Sequence, residues 1–273
     1  MLTNPPPASG GILIAFGLDL LDRLGAVGVE EVVAVMEEAQ AARTEEFHAG
    51  LYEDGWLELF LDPARLDAAA ERARSRLRPP GDGVAGPGDR LGSTTHITAV
   101  DGDGRCASVT CSNGTGSGLI VPGTGVHVNN MLGEEDLNPF GFHTLPAGRR
   151  MPSMMSPTVL LRDGELEAGL GSGGSNRIRS AVLQTIVRLV ADGMEVATAV
   201  EAPRVHFEAG AVQAEPGIDP DALAHLEARG YTIAPWAERN LFFGGVHAVS
   251  RNLETGELRG GGDPRRGGAI AVA

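Results

Sequence analysis

The sequence predicts an α+β fold, with helices and antiparallel hairpins in separate stretches of the chain. Three observations lead there. Helical periodicity dominates residues 1–78, and a proline- and glycine-rich run interrupts it at 79–93. From residue 94 the period becomes that of short strands joined by tight turns. The two later helical segments stand alone among those strands, so a doubly wound parallel sheet is not expected.

Each element has its own signal. Residues 28–42 place Val32, Val33, Val35 and Met36 at helical spacing between acidic residues. A further helix starts at Asp62-Pro63, an N-cap followed by proline at the first helical position, and runs to Leu77. Residues 79–92 hold three prolines and five glycines in fourteen positions, the composition of a solvated linker. Strands at 96–100 and 105–111 flank Asp101-Gly102-Asp103-Gly104, a strong hairpin signal. Short strands are expected at 118–122 and 126–129. A second hairpin follows, 158–162 and 165–168 around Asp163-Gly164. A glycine-rich turn at 169–175 leads into a helix at about 177–192, with Ile178, Val182, Ile186, Leu189 and Val190 on one face and Gly193 as its stop. The tail alternates short strands with one helix at 219–228, capped by Asp219 with Pro220 next.

Composition closes several functional classes. The 273 residues carry 42% hydrophobic and 21% charged side chains, ordinary for a globular chain and against disorder or coiled coil. No apolar run approaches the roughly 18 residues of a spanning helix, so no membrane span is expected. There are 22 arginines, no lysine and a net charge of −14. Such a surface repels phosphate backbones, which argues against a nucleic-acid partner. Glycine, at 39 residues, is about twice its usual share but follows no repeat, so collagen-like arrays are out. Cys106 and Cys111 lie five apart in an expected strand and point to opposite faces, so no disulfide joins them. No C-x-x-C or H-E-x-x-H spacing occurs, and the seven histidines are scattered, each reading as surface or satisfied core. The start, MLTNPPPASGG, carries no charged-then-apolar leader pattern and does not read as a natural domain start.

Two stretches carry chemistry. Gly169-Leu170-Gly171-Ser172-Gly173-Gly174 matches G-x-G-x-x-G, yet the strand before it is the return arm of a hairpin and not part of a βαβ unit. Close packing, or backbone N–H groups that receive a developing oxyanion at the helix start, are the alternatives. At Leu91-Gly92-Ser93-Thr94-Thr95-His96 a hydroxyl residue stands where a flexible segment meets a strand. The place suits self-cleavage, in which Thr94 attacks the carbonyl before it; it also suits an ordinary threonine-rich strand start. A freed Thr94 would hold nucleophile and base together, because its α-amine has a pKa of about 7.7–8.

Further stretches recur in order: Pro5-Pro6-Pro7-Ala8-Ser9-Gly10-Gly11, Thr94-Thr95-His96 with Val100-Asp101 and Gly104, Pro122-Gly123-Thr124-Gly125, Asn129-Asn130, Met155-Ser156-Pro157-Thr158, 171–177, Ala202-Pro203-Arg204 and Asp263-Pro264-Arg265. Together they resemble the γ-glutamyltranspeptidases, N-terminal-nucleophile hydrolases made as precursors that cut themselves into large and small subunits. The resemblance implies a four-layer αββα sandwich truncated at its N-terminal side, and no cofactor or metal. Residues 1–78 fall on the end of the large subunit, 79–93 on the linker ending at the cleavage site, and 94–273 on the small subunit.

Carried over residue by residue, Thr94 falls on the nucleophile and Ser112 on the hydroxyl that hydrogen-bonds it. Gly174 and Ser175 fall on the oxyanion pair, Asn113 on the asparagine at the glutamyl carboxylate end, and Ser153 on one of two pocket serines. The second of those serines is Met154 here, the second oxyanion glycine is Ser175, and Met131 replaces the glutamine that binds the substrate amine. The companion aspartate falls on Glu134, or on Asp136 with a gap. These departures point to a shifted specificity, toward another amide or a cephalosporin-acylase-like or polyglutamate-processing role.

Family precursors are roughly twice this length. The arginine that grips the glutamyl carboxylate belongs to the upstream half, so an incomplete sheet, an exposed apolar face and dependence on that half as partner are expected. No arginine of this chain is placed by a motif to replace it; Arg149 and Arg150 belong to a loop the resembled family already uses. The implied activity is cleavage of γ-glutamyl amides such as glutathione through a γ-glutamyl-Thr94 ester, with water or an amino acid as acceptor. A same-fold amidase and an inactive, partner-dependent fragment are the alternatives.

Overall fold

Five helices open the chain: α1 (Gly10–Leu24), α2 (Val29–Ala41), α3 (Glu45–Gly50), α4 (Trp56–Phe60) and α5 (Pro63–Ser75). The computed structural model describes residues 1–75, 94–134, 137, 138 and 140–273, so the expected linker and Asp136 lie outside the described residues. The Asp62-Pro63 signal works as read, with Asp62 Oδ1 accepting from the Ala64 and Arg65 N–H groups. Phe47 meets Trp56 and Phe60 with ring centroids 5.2 and 5.1 Å apart, and Phe60 meets Phe16 of α1 at 5.3 Å, which closes the short helices onto α1. These helices are not a separate domain. Phe16 and Val35 share one buried core with Leu170, Val182 and Val246 from the later chain.

Three sheets follow. β1 (Thr94–Val100) and β2 (Cys106–Ser112) form the first hairpin, in a register that sets Thr94 opposite Ser112. β3 (Thr158–Arg162), β4 (Glu165–Gly173), β8 (Gly245–Arg251) and β9 (Leu258–Gly262) form an antiparallel sheet in the order β3-β4-β8-β9. β5 (Val205–Glu208), β6 (Ala211–Ala214) and β7 (Thr232–Pro235) make a small third sheet. The helices α6 (Arg177–Val190), α7 (Val196–Glu201) and α8 (Pro220–Ala228) punctuate the strands, as an α+β chain requires. One face of the four-stranded sheet packs on α6 and α7, and the hairpin β1–β2 lies against β4 and β8. Among the described residues this gives three layers: helices, sheet and hairpin. The outer face of the hairpin is open, with Ile97 63% and Val109 49% exposed. Cys106 faces inward, Cys111 outward, and both are free thiols.

Two expectations need correction. Residues 118–122 and 126–129 are not strands. They meet in one bridge, Ile120 to His127, because the exposed ribbon has no sheet to join. The glycine-rich stretch is not a turn until residue 174, since β4 continues through Gly173. The packing of the hairpin gives the reason. A side chain at Gly169 would meet Cys106 Sγ at 2.5 Å, one at Gly171 the His96 ring at 2.3 Å, and one at Gly173 the Thr94 carbonyl oxygen at 2.5 Å. Alternate glycines flatten one face of β4, so the strand that begins with Thr94 lies directly on it. The acidic residue that a dinucleotide site would need, Glu195, instead caps α7 by accepting from the Ala197 N–H at 2.9 Å.

Candidate active site

Thr94 opens β1, and its partner across the hairpin is Ser112, the last residue of β2. Their hydroxyl oxygens share a hydrogen bond of 2.9 Å. Ser112 Oγ also accepts from the Gly114 N–H at 3.0 Å, which fixes its rotamer. Both line a cleft with Gly114, Met131, Glu134, Leu137, Ser153, Met154, Met155, Gly174, Ser175, Arg177, Ile178 and Arg266. Its enclosed part, about 40 Å³, has room for a water beside the Thr94 hydroxyl, so an acyl donor must use the open side.

The turn from β4 into α6 borders this cleft. Gly174 has φ +131°, and a side chain there would meet Gly244 Cα at 2.8 Å. Ser175 has φ +55°, the left-handed conformation glycine adopts freely, so serine is held there at a cost of about 1 kcal/mol. The turn thus keeps a glycine's geometry without the glycine. The Arg177 and Ile178 N–H groups close the turn by donating to the Gly174 and Ser175 carbonyls, which starts α6.

Behind the turn, the Ala202-Pro203-Arg204 and Asp263-Pro264-Arg265 stretches meet in a buried ion cluster. Arg204 contacts Asp263 Oδ2 at 2.7 Å, Arg265 contacts Asp263 Oδ1 at 3.1 Å, and Arg265 also pairs with Glu215. Burial opposes charge on both Arg204 and Asp263; the two facing arginines nonetheless hold the Asp263 carboxyl below its usual range. Asp263 accepts from the Val246 N–H, and Arg204 donates to the Phe243 carbonyl. The cluster therefore pins both sides of Gly244, against which the turn rests. His96 is a satisfied core residue. Its ring nitrogens bond Thr110 and Thr98 hydroxyls at 2.8 Å, and burial pushes its pKa down to about 4.

The other wall is a loop hung on few contacts. Asn130 Oδ1 accepts from the Thr115 and Gly116 N–H groups, and Glu134 Oε1 accepts from Thr115 N–H at 3.1 Å. One Glu134 oxygen is therefore committed to the loop. Asn113 holds the same turn through its carbonyl, which accepts from Gly116 and Asn130, and Gly114 is the residue of this segment that lines the cleft. Ser153 Oγ accepts from the Met155 N–H at 3.0 Å, and the Ser153 carbonyl accepts from the Ser9 and Gly10 N–H groups. A side chain at Gly10 would meet the Met154 carbonyl oxygen at 2.3 Å, so Ser9-Gly10 at the start of α1 clamps this wall.

The structure brings Thr94, Ser112, Glu134, Ser153, Gly174 and Ser175 to one cleft. Arg149 is elsewhere, over the Tyr52 ring at 4.8 Å, so it is not the cation of this site. Two cations that sequence reasoning missed, Arg177 and Arg266, do line it. Arg177 ends the 171–177 stretch and Arg266 follows Asp263-Pro264-Arg265, so motif position was the available signal. Among the described residues no group of three or more His, Cys, Asp or Glu side chains could hold a metal.

The Gamma-glutamyltranspeptidase family model matches residues 1–273. The glutathione hydrolase proenzyme of Escherichia coli (strain K12) is 28% identical over 96% of this chain and 48% of its own length. The acylase ACY 1 proenzyme of Pseudomonas sp. (strain V22) is 30% identical over 94% of this chain and 47% of its own length. A γ-glutamyltranspeptidase structure from Pseudomonas nitroreducens superposes with TM-score 0.56 at 27% identity, covering 66% of this chain and 99% of that one. A cephalosporin acylase from Bacillus halodurans shares the fold, with TM-score 0.77 at 24% identity over 98% of this chain and 50% of its own. The chain spans half or less of the length of these curated relatives. It belongs to the γ-glutamyltranspeptidase family, and its fold is the α+β fold of N-terminal-nucleophile hydrolases.

Proposed function

We propose that this family member cleaves itself before Thr94 and then works as an amide hydrolase or acyltransferase on γ-glutamyl amides such as glutathione. The observation that carries the reading is the 2.9 Å contact of Thr94 and Ser112 hydroxyls in a cleft bordered by Gly174 and Ser175. In the first step Thr94 Oγ1 attacks the Ser93 carbonyl carbon, the Ser93–Thr94 C–N bond breaks, and water hydrolyses the resulting ester. The Thr94 α-amine is then free and takes the hydroxyl proton when Oγ1 attacks a substrate amide. The oxyanion receives the Gly174 and Ser175 N–H groups, the leaving amine takes the proton, and water or an amino acid accepts the acyl group.

A second reading, an acylase for donors without an α-ammonium, is favoured by one observation. Met131 and Met154, where the resembled family has polar residues, both line the cleft beside Met155, Leu137 and Ile178. That wall suits an aliphatic chain better than a zwitterion. The relatives named acylase ACY 1 support it.

Self-cleavage tests the reading and needs no substrate. Intact mass should show two fragments, and Edman sequencing of the C-terminal one should begin Thr-Thr-His-Ile. Thr94→Ala should leave a single 28.3 kDa chain. A fragment with another first residue sinks the assignment of Thr94.

A further inference from the structure

We propose that Ser9, Gly10 and Tyr52 are positioning residues for the acyl donor, fixing Ser153, Met154 and Met155 along one side of the Thr94 cleft so that these select the acyl chain. The proposal rests on the reading that this cleft takes an acyl donor. The contacts that carry it do not involve Thr94.

The stretch that contains Pro5-Pro6-Pro7-Ala8-Ser9-Gly10 runs beside residues 153–159 and is bonded to them at successive points. Leu2 and Val159 exchange two backbone hydrogen bonds of 2.8 and 2.9 Å. The Thr3 hydroxyl donates to the Pro157 carbonyl at 3.3 Å, and Asn4 Nδ2 reaches the Met155 carbonyl at 3.5 Å. The last contact is the densest. One oxygen, the Ser153 carbonyl, accepts from the Ser9 N–H at 2.9 Å, the Gly10 N–H at 3.1 Å and the Ser9 hydroxyl at 3.3 Å. The same hydroxyl lies 3.6 Å from Met154 Sδ, and Ser9 is fully buried. No side chain caps α1, so the Ser153 carbonyl satisfies N–H groups that the helix start would otherwise leave orphaned. Ser153, Met154 and Met155 all line the cleft, so a helix end seats three consecutive residues of its wall.

A second hold comes from just beyond α3. Tyr52 Oη donates to the Arg150 carbonyl at 2.7 Å, and the Arg149 guanidinium lies 4.8 Å from the Tyr52 ring centroid. Two carbonyls three residues apart are thus gripped from two different helical segments. Gly10 sets how close α1 can come. A β-carbon there would stand 2.3 Å from both the Met154 carbonyl oxygen and Ser156 Oγ. Alanine is the better helix former, so the close approach, and not the helix, accounts for glycine at this position. The bonds of Ser9 and Tyr52 go to the wall, whereas Thr94, Ser112 and the Gly174-Ser175 turn rest on paired strands and the Arg204–Asp263 pair. The two sides of the cleft can therefore be displaced separately. An aliphatic acyl chain is held by contact alone, and a gap of roughly 0.5–1 Å already forfeits a quarter to a half of that attraction.

Two ligands read the wall without turnover: hexananilide, with an aliphatic acyl chain, and γ-glutamylanilide, with a zwitterionic one. Both are titrated by calorimetry into the full chain carrying Thr94→Ala. Gly10→Ala must push the Met154 carbonyl away and should raise the Kd of hexananilide roughly tenfold. Ser9→Ala and Tyr52→Phe each lose a hydroxyl donor to the wall and should raise it roughly threefold. γ-Glutamylanilide should change less, so the ratio of the two Kd values shifts. With Thr94 restored, the variants should cleave themselves at the parent's rate. With the upstream half supplied in trans, KM for hexanoyl-p-nitroanilide should rise while kcat holds. Thermal melting checks folding; where Gly10→Ala does not fold, the two milder variants decide. An unchanged Kd ratio in folded variants, kcat or self-cleavage falling in step with affinity, or no binding of either ligand overturns the proposal. A shifted Kd ratio in a chain that never cleaves itself sinks the assignment of Thr94 and leaves the positioning of the wall standing.

Discussion

The two walls of the Thr94 cleft are built on different terms. The side carrying Thr94 and the Gly174-Ser175 turn rests on paired strands, alternate glycines and buried ion pairs, with Arg204, Asp263 and Arg265 nearly sealed from solvent. The side carrying Met131, Glu134 and Ser153 is loop, held by an asparagine, a glutamate and the Ser9-Gly10 clamp. On the proposed function, the first would place reacting atoms to within fractions of an ångström and the second would suit the acyl group that arrives. Departures from the resembled family follow that division. Met131 and Met154 are on the loop wall, and the one departure on the rigid side, Ser175, keeps the glycine's backbone conformation.

The largest expected effect breaks the rigid side. Arg204→Met removes one partner of Asp263 and leaves a buried carboxylate with reduced compensation. Breaking such a pair costs about 3–5 kcal/mol, which in a chain of this size lowers Tm by roughly 10 °C. Because Arg204 also donates to the Phe243 carbonyl beside Gly244, self-cleavage should slow as well. A scanning-calorimetry shift of only a degree or two would show that the cluster does not support the turn.

Acid should act on the same side. In the unfolded chain His96 takes up a proton at an ordinary pKa of 6.5, whereas the folded pocket holds it neutral down to about 4. Between those values the unfolded state binds the proton and the folded state does not, so stability falls as pH drops through that window. The full loss from His96 is about 3 kcal/mol. His48, also pushed to about 4, adds to the slope, so the comparison is with His96→Gln. Urea unfolding at pH 7 and near pH 4.5 should show a smaller acid loss in the variant. Equal losses would mean that His96 is not the titrating group.

What the sequence revealed follows the same division. The two hairpins and the Asp62-Pro63 cap were legible because period and turn chemistry are local, whereas the pairing of Thr94 with Ser112 was expected only through the family resemblance. The glycines of β4 read as a turn because nothing in a string of residues shows which hairpin lies above them. Arg177 and Arg266 stand beside legible motifs, but that both line one cleft depends on how α6 and the turn after β9, far apart in sequence, pack together. The Ser9-Gly10 clamp on Ser153 spans about half the chain, and no spacing rule connects them.

The smallest expected effect sharpens the contrast, because it alters preference and leaves stability nearly unchanged. Met131 is only half-buried and glutamine is close to it in length, so Met131→Gln should fold as the parent does. If the loop wall sets acyl choice, the new carboxamide gives a γ-glutamyl donor a hydrogen-bond partner and removes polarizable contact from an aliphatic one. One hydrogen bond to a charged amine is worth about 1.5 kcal/mol, or roughly tenfold in kcat/KM. The measurement is the ratio of kcat/KM for γ-glutamyl- and hexanoyl-p-nitroanilide, with the upstream half supplied in trans. The ratio should rise about tenfold, while Tm stays within a degree or two of the parent. An unchanged ratio would move acyl selection off the methionine wall.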